Sequence, residues 1–281
     1  MEKTDNINLA ILVLSCDKYK YAWDDFFNLK DKFWPDCPYP WYVVTESEDY
    51  DRAGVSVIKC GKERNWTGRF KYAAEIVQAE YVAVFLEDFF IEERIDQDII
   101  DRLLQLMDEQ NVSMINVGDV FSWITQQPNK QFLDEEKNLI IIPKHLRYGI
   151  SASLSIWRTS FVIDYLGDND CSAWDFEMNG CKIADSEEGL PGLLLCDIRQ
   201  PLHPSKVPVI VQGKLYPPCI RHFKKRGYAI DVSKYNVMTF KDKWRYNLKH
   251  YSAKIPFVKK PLKWLARNIL GYKFFSDSIK E

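Results

Sequence analysis

The sequence predicts an α/β protein built on an open, mainly parallel central sheet with helices packed on both faces. Three observations carry this. The first 120 residues alternate strand-like and helix-like segments, the order that lays parallel strands side by side. The strand-like segments are continuously apolar rather than alternating, as expected of strands covered on both faces. The chain has 281 residues, 46% of them hydrophobic and 14% aromatic, which is ample for a sizeable core.

The elements follow in order. "LAILVLSC" (Leu9–Cys16) reads as a first buried strand. "YKYAWDDFFNLKDKFWP" follows at helical spacing and stops at Pro35. "YPWYVVTES" (Tyr39–Ser47) and "VSVIKCG" (Val55–Gly61) read as strands two and three. "TGRFKYAAEIVQA" is helical, with Thr67 expected as its N-cap. "EYVAVFLED" is the next strand, and Asp96–Gln110 is an amphipathic helix with Ile99, Ile100, Leu103, Leu104 and Met107 on one side. "VSMINVG", "NLIIIP", "YGISASLSIW" and "VPVIVQGK" read as later strands, and "RTSFVIDYLG" and "SAWDFEMNGCKIAD" as helices. The expected organisation is one catalytic-type domain over 1–240, with halves 1–120 and 121–240, and a basic aromatic tail over 241–281.

Composition excludes several classes. Seven cysteines, an odd number with no C-x-x-C pair, suggest neither a disulfide framework nor a zinc site. No H-E-x-x-H, G-x-G-x-x-G, Walker-type loop or G-x-S-x-G occurs. No stretch approaches the eighteen or so apolar residues of a membrane span, and the start reads as a strand rather than a signal peptide. A cytoplasmic protein is expected. Net charge is −2, but residues 241–281 carry +8 and the remainder −10, which points the tail at an anionic partner.

In an open parallel sheet, ligands bind outside the carboxyl ends of the strands. Here those ends carry Ser15 and Asp17, then Thr45 and Glu46, then Glu87 and Asp88. Taken singly each is as well explained as a helix cap; taken together they mark a site. Between them, Arg64 and Arg69 stand near a helix start, where free N–H groups already favour an anion, and they are the phosphate candidates, with Lys62 and Lys71 nearby.

"EYVAVFLEDFFI" resembles the strand-plus-acid signature of GT-A fold glycosyltransferases, especially family-2-like bacterial polysaccharide enzymes. The resemblance implies a D-x-D-type motif holding a divalent metal (Mn²⁺ or Mg²⁺) against the sugar-nucleotide diphosphate. Glu87 takes its first position and Asp88 its middle; the third is Phe89, which cannot bind metal. Two readings stay open: one of the acids, the diphosphate and water hold an ion, or cations such as Arg64, Arg69 and Lys71 neutralise the leaving group without one. "SAWDFE" resembles the acceptor-side motif of the same enzymes. It supplies Glu177 as the expected base of an inverting transfer, Asp175 as second candidate and Trp174 as an acceptor-sugar platform. Asp175 also fits the capping position of a helix begun by Ser172.

The resemblance therefore implies transfer of a sugar from a nucleotide-sugar donor to a glycan acceptor, lipid-linked, in surface polysaccharide synthesis. A nucleotidyltransferase and a non-catalytic carbohydrate-binding protein on the same fold are the alternatives. "SCDKYKY" after the first strand lacks the glycine-rich loop the former would want. His203 and His222 are read as structural, with an approach to the diphosphate as the other option. Over 243–281, Trp264, Leu265, Ile269 and Leu270 beside Lys260, Lys263 and Arg267 give the pattern of a helix lying in a membrane interface, so peripheral contact with an anionic leaflet is expected and nucleic acid is not.

Overall fold

A computed structural model describes residues 9–118 and 122–252. Eight strands form one sheet in the order β3-β2-β1-β4-β7-β5-β8-β6. They are β1 (Leu9–Leu14), β2 (Trp41–Thr45), β3 (Val55–Lys59), β4 (Tyr81–Phe85), β5 (Met114–Asn116), β6 (Leu139–Ile141), β7 (Ser155–Arg158) and β8 (Leu194–Asp197). β3, β2, β1 and β4 run parallel, as do β5 and β8; β7 is antiparallel to both β4 and β5, and β6 to β8. The sheet is thus mainly parallel, with two reversed strands.

Continuous hydrophobicity in β1 and β4 is explained by what covers them. Leu9, Ile11 and Val13 point into a core shared with α1 (Trp23–Phe33), α3 (Gln97–Glu109) and α7 (Pro217–Lys225). Ala10, Leu12 and Leu14 point into a second core shared with α2 (Trp66–Val77), α5 (Thr159–Leu166) and α6 (Ala173–Ala184). Alternate residues of one strand therefore serve opposite faces, and both faces are apolar. Aromatic excess goes largely inward: Phe26 meets Phe27, Trp41, Phe85 and Phe90 edge-on or nearly so, with centroids 5.1 to 6.4 Å apart.

Several elements depart from the sequence reading. Thr67 does not cap α2. Asn65 holds that place, and Thr67 Oγ1 instead donates to Asn169 O at 2.7 Å and accepts the Cys171 N–H at 2.7 Å, stitching α2 to the α5–α6 loop. The strand expected over 148–157 is real only from Ser155. Tyr148 sits at φ 59°, and Ser151, Ser153 and Asn116 bond one another through side chains, so the chain bends. "VPVIVQGK" makes a small separate hairpin, β9 (Ile210–Val211) and β10 (Lys214–Leu215), turning through Gln212 and Gly213, both at positive φ.

A short helix α4 (Ser122–Thr125) precedes β6, and α8 (Phe240–Ser252) ends the described chain. The expectations placed on 253–281, including Lys260, Lys263, Trp264, Leu265, Arg267, Ile269 and Leu270, lie outside the described residues. Among those described, no helix is long and apolar enough to cross a membrane.

Candidate active site

The parallel strands end on one edge, and the loops leaving β1 and β4 open a pocket of about 420 Å³. Its wall includes Ser15 and Lys18 after β1, Trp66 and Arg69 on α2, Glu87 and Asp88 after β4, Ser172 and Ala173 at the start of α6, and Gln212 and Gly213 at the hairpin tip. Four of the residues expected at this site, Ser15, Arg69, Glu87 and Asp88, therefore meet there. Lys18, Trp66 and the hairpin tip were not anticipated; only the position of Lys18, directly after a strand end, carried a signal.

Burial and like charge shape the acidic pair. Glu87 is 7% exposed. Desolvation, then the neighbouring Asp88 carboxylate, push its pKa up to about 8, against weaker opposing hydrogen bonds that include one from Ser15. The chain reaches this place because β4 is fully buried and emerges at Leu86, and it returns to the core at once through Phe90 and Ile91, both 0% exposed. Two buried donors in the wall, Trp66 Nε1 and Arg69 Nε, have no partner among the described residues. Buried donors normally find acceptors, and both of these side chains border the pocket. Arg69 is otherwise held by Arg64 O at 3.0 Å and Glu46 Oε1 at 3.4 Å.

The other expected nucleotide-site residues are committed elsewhere. Asp17 Oδ1 accepts from Thr45 Oγ1 at 2.6 Å and from the N–H groups of Glu46, Ser47 and Glu48, while Oδ2 takes Ser47 Oγ at 2.6 Å. Burial acts to raise the Asp17 pKa, but these bonds, led by Ser47, outweigh it and hold the carboxyl far below its usual range. Glu46 accepts the Asp17 N–H at 2.8 Å. Asp17, Thr45 and Glu46 thus lock β1 to β2 beneath the pocket and do not line it. Arg64 is bound to Cys60 O and Glu63 and lies 4.5 Å from the Tyr72 ring centroid; it too stands outside the lining. Lys71 is tied to Gly167 O at 2.7 Å and Asp168. His222 Nε2 lies 2.5 Å from buried Glu92, and His203 is likewise absent from the lining, so neither histidine reaches the pocket.

Glu177 lines a second pocket of about 720 Å³ with Gln127, His145, Leu146, Arg147, Tyr148 and Ser151. It does not share a wall with Glu87 and Asp88. The two pockets are nevertheless neighbours along α6. Ala173 borders the first and Glu177 the second, four residues apart on one helix face and about 6 Å along its axis. Glu177 Oε1 accepts the Ala152 N–H at 3.0 Å, and burial raises its pKa despite that bond. Asp175 is engaged at the helix start: Ser172 Oγ donates to its Oδ2 at 2.6 Å and accepts its N–H at 3.1 Å. It borders neither pocket, so the capping reading describes it. Trp174 is 57% exposed and also outside both linings.

Among the described residues there is no group of three or more His, Cys, Asp or Glu able to hold a metal ion. Among the described residues lining the pocket, Glu87 and Asp88 are the carboxylates. That set suits a hard cation of the Mg²⁺ type, which takes one or two carboxylates and completes its shell with substrate phosphates and water.

The sequence matches no family model and no curated protein. Solved structures do resemble the chain. A cytidylyltransferase from Leptospira borgpetersenii serovar Hardjo-bovis aligns over 88% of this chain and 96% of its own at 11% identity, with a TM-score of 0.44. TarS of S. aureus aligns over 68% of this chain at 14% identity and a TM-score of 0.42, spanning 35% of TarS. A UDP-glucose pyrophosphorylase solved with UDP-glucose aligns over 68% of this chain and 90% of its own at 9% identity, with a TM-score of 0.39. At such identities and scores none of them assigns this chain an activity.

Proposed function

We propose that this protein is a glycosyltransferase that moves a sugar from a nucleotide-sugar donor to a glycan acceptor, lipid-linked, in surface polysaccharide synthesis. The observation that carries the reading is the acidic pair of buried Glu87 and half-buried Asp88 at the end of the central strand, in one pocket with unsatisfied donors on Trp66 and Arg69. Arg69 and Trp66 offer N–H groups to the donor diphosphate, a charge-assisted interaction in a partly dry site. A divalent ion bound by Glu87 and Asp88 would supply charge neutralisation for the departing nucleoside diphosphate. Lys18, in the same wall, adds a cation of the chain's own.

Glu177 is the base in this reading. Its Oε1 is oriented by the Ala152 N–H, and burial raises its pKa, which makes it a stronger base than a free carboxylate. The acceptor occupies the larger pocket, so its hydroxyl approaches the donor sugar across the first turns of α6. Trp174, exposed beside that turn, offers a ring to sugars further along the acceptor.

A panel of nucleotide sugars, assayed for hydrolysis and transfer with and without Mn²⁺, tests the reading. Glu177→Gln is expected to lower transfer by about 10²–10⁴-fold with nucleotide binding intact. Release of pyrophosphate from a nucleoside triphosphate and a sugar phosphate, with no nucleotide-sugar turnover, would instead establish nucleotidyl transfer. Undiminished transfer by Glu177→Gln would remove that residue as the base.

A further inference from the structure

Helix α8 is preceded by Thr239, whose Oγ1 donates to Asp242 Oδ2 at 2.9 Å and accepts the Asp242 N–H at 3.2 Å. One side of the helix is fastened to the body. Lys214 Nζ pairs with Asp242 at 2.8 Å, Tyr216 OH donates to Asn247 Oδ1 at 3.0 Å, and the rings of Tyr216 and Tyr246 meet edge-on at 5.5 Å. The other side is open. Phe240 is 86% exposed and Trp244, one turn on, is 58% exposed, with Lys241 and Arg245 exposed beside them. Scattered exposed apolar residues are ordinary. Two large rings stacked along one helix face, each followed by a cation, are not.

We propose that this face of α8 docks on an anionic membrane leaflet. Charge and chemistry name the occupant. Trp and Phe seat at the acyl boundary while Lys and Arg stems reach to headgroup phosphates, and this face offers those types in register, Phe240 with Lys241 and Trp244 with Arg245. The same sign of charge continues in sequence, since residues 241–281 carry +8 in a chain of net charge −2. The side that holds the helix to the body is satisfied, so docking requires no unfolding. The anchor also matters: Lys214 lies on β10, whose hairpin tip contributes Gln212 and Gly213 to the pocket wall. Given the glycosyltransferase reading, a docked α8 holds the donor pocket at the surface where a lipid-linked acceptor lies; docking itself does not depend on that reading.

The test is sedimentation of the full chain with phosphatidylglycerol-containing vesicles, against pure phosphatidylcholine vesicles. Wild type is expected to partition to the anionic vesicles, less so as salt rises. Lys241→Ala with Arg245→Ala is expected to weaken partitioning about 25-fold, roughly fivefold per cation. Phe240→Ser with Trp244→Ser is expected to weaken it about tenfold or more. All four side chains are exposed, and unchanged thermal unfolding of the variants confirms that they still fold. Quenching of wild-type fluorescence by brominated lipid, reduced in Trp244→Phe, reports ring insertion directly. Equal partitioning of wild type and both double variants would overturn the proposal, as would absence of wild type from anionic vesicles. Self-association abolished by Phe240→Ser/Trp244→Ser, with no vesicle binding, would assign the face to a second copy of this chain instead. Failure of the transferase assays with vesicle binding intact would remove the proposed activity and leave the docking surface standing.

Discussion

Glu87→Gln isolates the energetic cost of the acidic pair. In the folded protein Glu87 is pushed from 4.5 up to about 8, chiefly by desolvation and then by Asp88. Between those values the folded state binds a proton that the unfolded chain has released. Stability from this group is therefore present in full below 4.5 and is lost progressively until pH passes about 8. At about 1.4 kcal/mol per pH unit, the full loss is about 5 kcal/mol. Glutamine keeps the shape of the side chain and its capacity to bond Ser15, but never carries the charge. Near pH 5 the variant and wild type should unfold within about 1 kcal/mol of each other; near pH 9 the variant should be more stable by a few kcal/mol. Urea unfolding followed by tryptophan fluorescence reads this directly, with equal m-values showing that only stability has changed. A variant destabilised alike at both pH values would refute the account, because it would mean the carboxylate supports the fold rather than straining it. If the variant gains stability and loses transfer, the residue is held for activity at the expense of stability.

Arg69→Met should weaken nucleoside diphosphate binding by about tenfold or more, the worth of a charge-assisted bond; calorimetric titration measures it. Glu92→Ala should destabilise the protein by about 3–5 kcal/mol, because buried Glu92 accepts from His222 and Arg226 and from the Lys206 N–H; denaturant titration measures it. Tyr235→Phe should cost about 1–3 kcal/mol by leaving Asp25 Oδ2, which its hydroxyl reaches at 2.7 Å, without that donor.

The first half of the fold was legible because its strands are long apolar runs and its helices carry strong periodicity. β1 to β4 and α1 to α3 fall where the sequence places them, within a few residues. The second half was less so. β8 is four residues with no alternation, buried on both sides, and nothing in "LLLCD" separates a short strand from a core turn. α7 opens on two prolines, which mark a helix start only when its first turn is already suspected. Of the strand ends named, those of β1 and β4 border the pocket through Ser15, Glu87 and Asp88, and that of β2 does not. Side-chain commitments were not legible: that Asp17 would be consumed by five hydrogen-bonding groups of the β2 loop, or Arg64 by Cys60 O, depends on loop conformations that leave no periodic trace.

The Asp25 clasp bears on how the chain is made. This carboxylate is 3% exposed, and the hydroxyls of Tyr228 and Tyr235 that bond it lie 203 and 210 positions downstream. During translation at about 5–20 residues per second, roughly 10–40 seconds separate the birth of the acceptor from that of its donors. The strand that closes the far side of β4 is late as well, since β7 begins at Ser155. A nascent chain halted before the second tyrosine holds all eight strands of the sheet and still lacks half of the latch for its first helix. Such stalled or nonsense-truncated products should be recognised by proteases far more readily than the finished molecule.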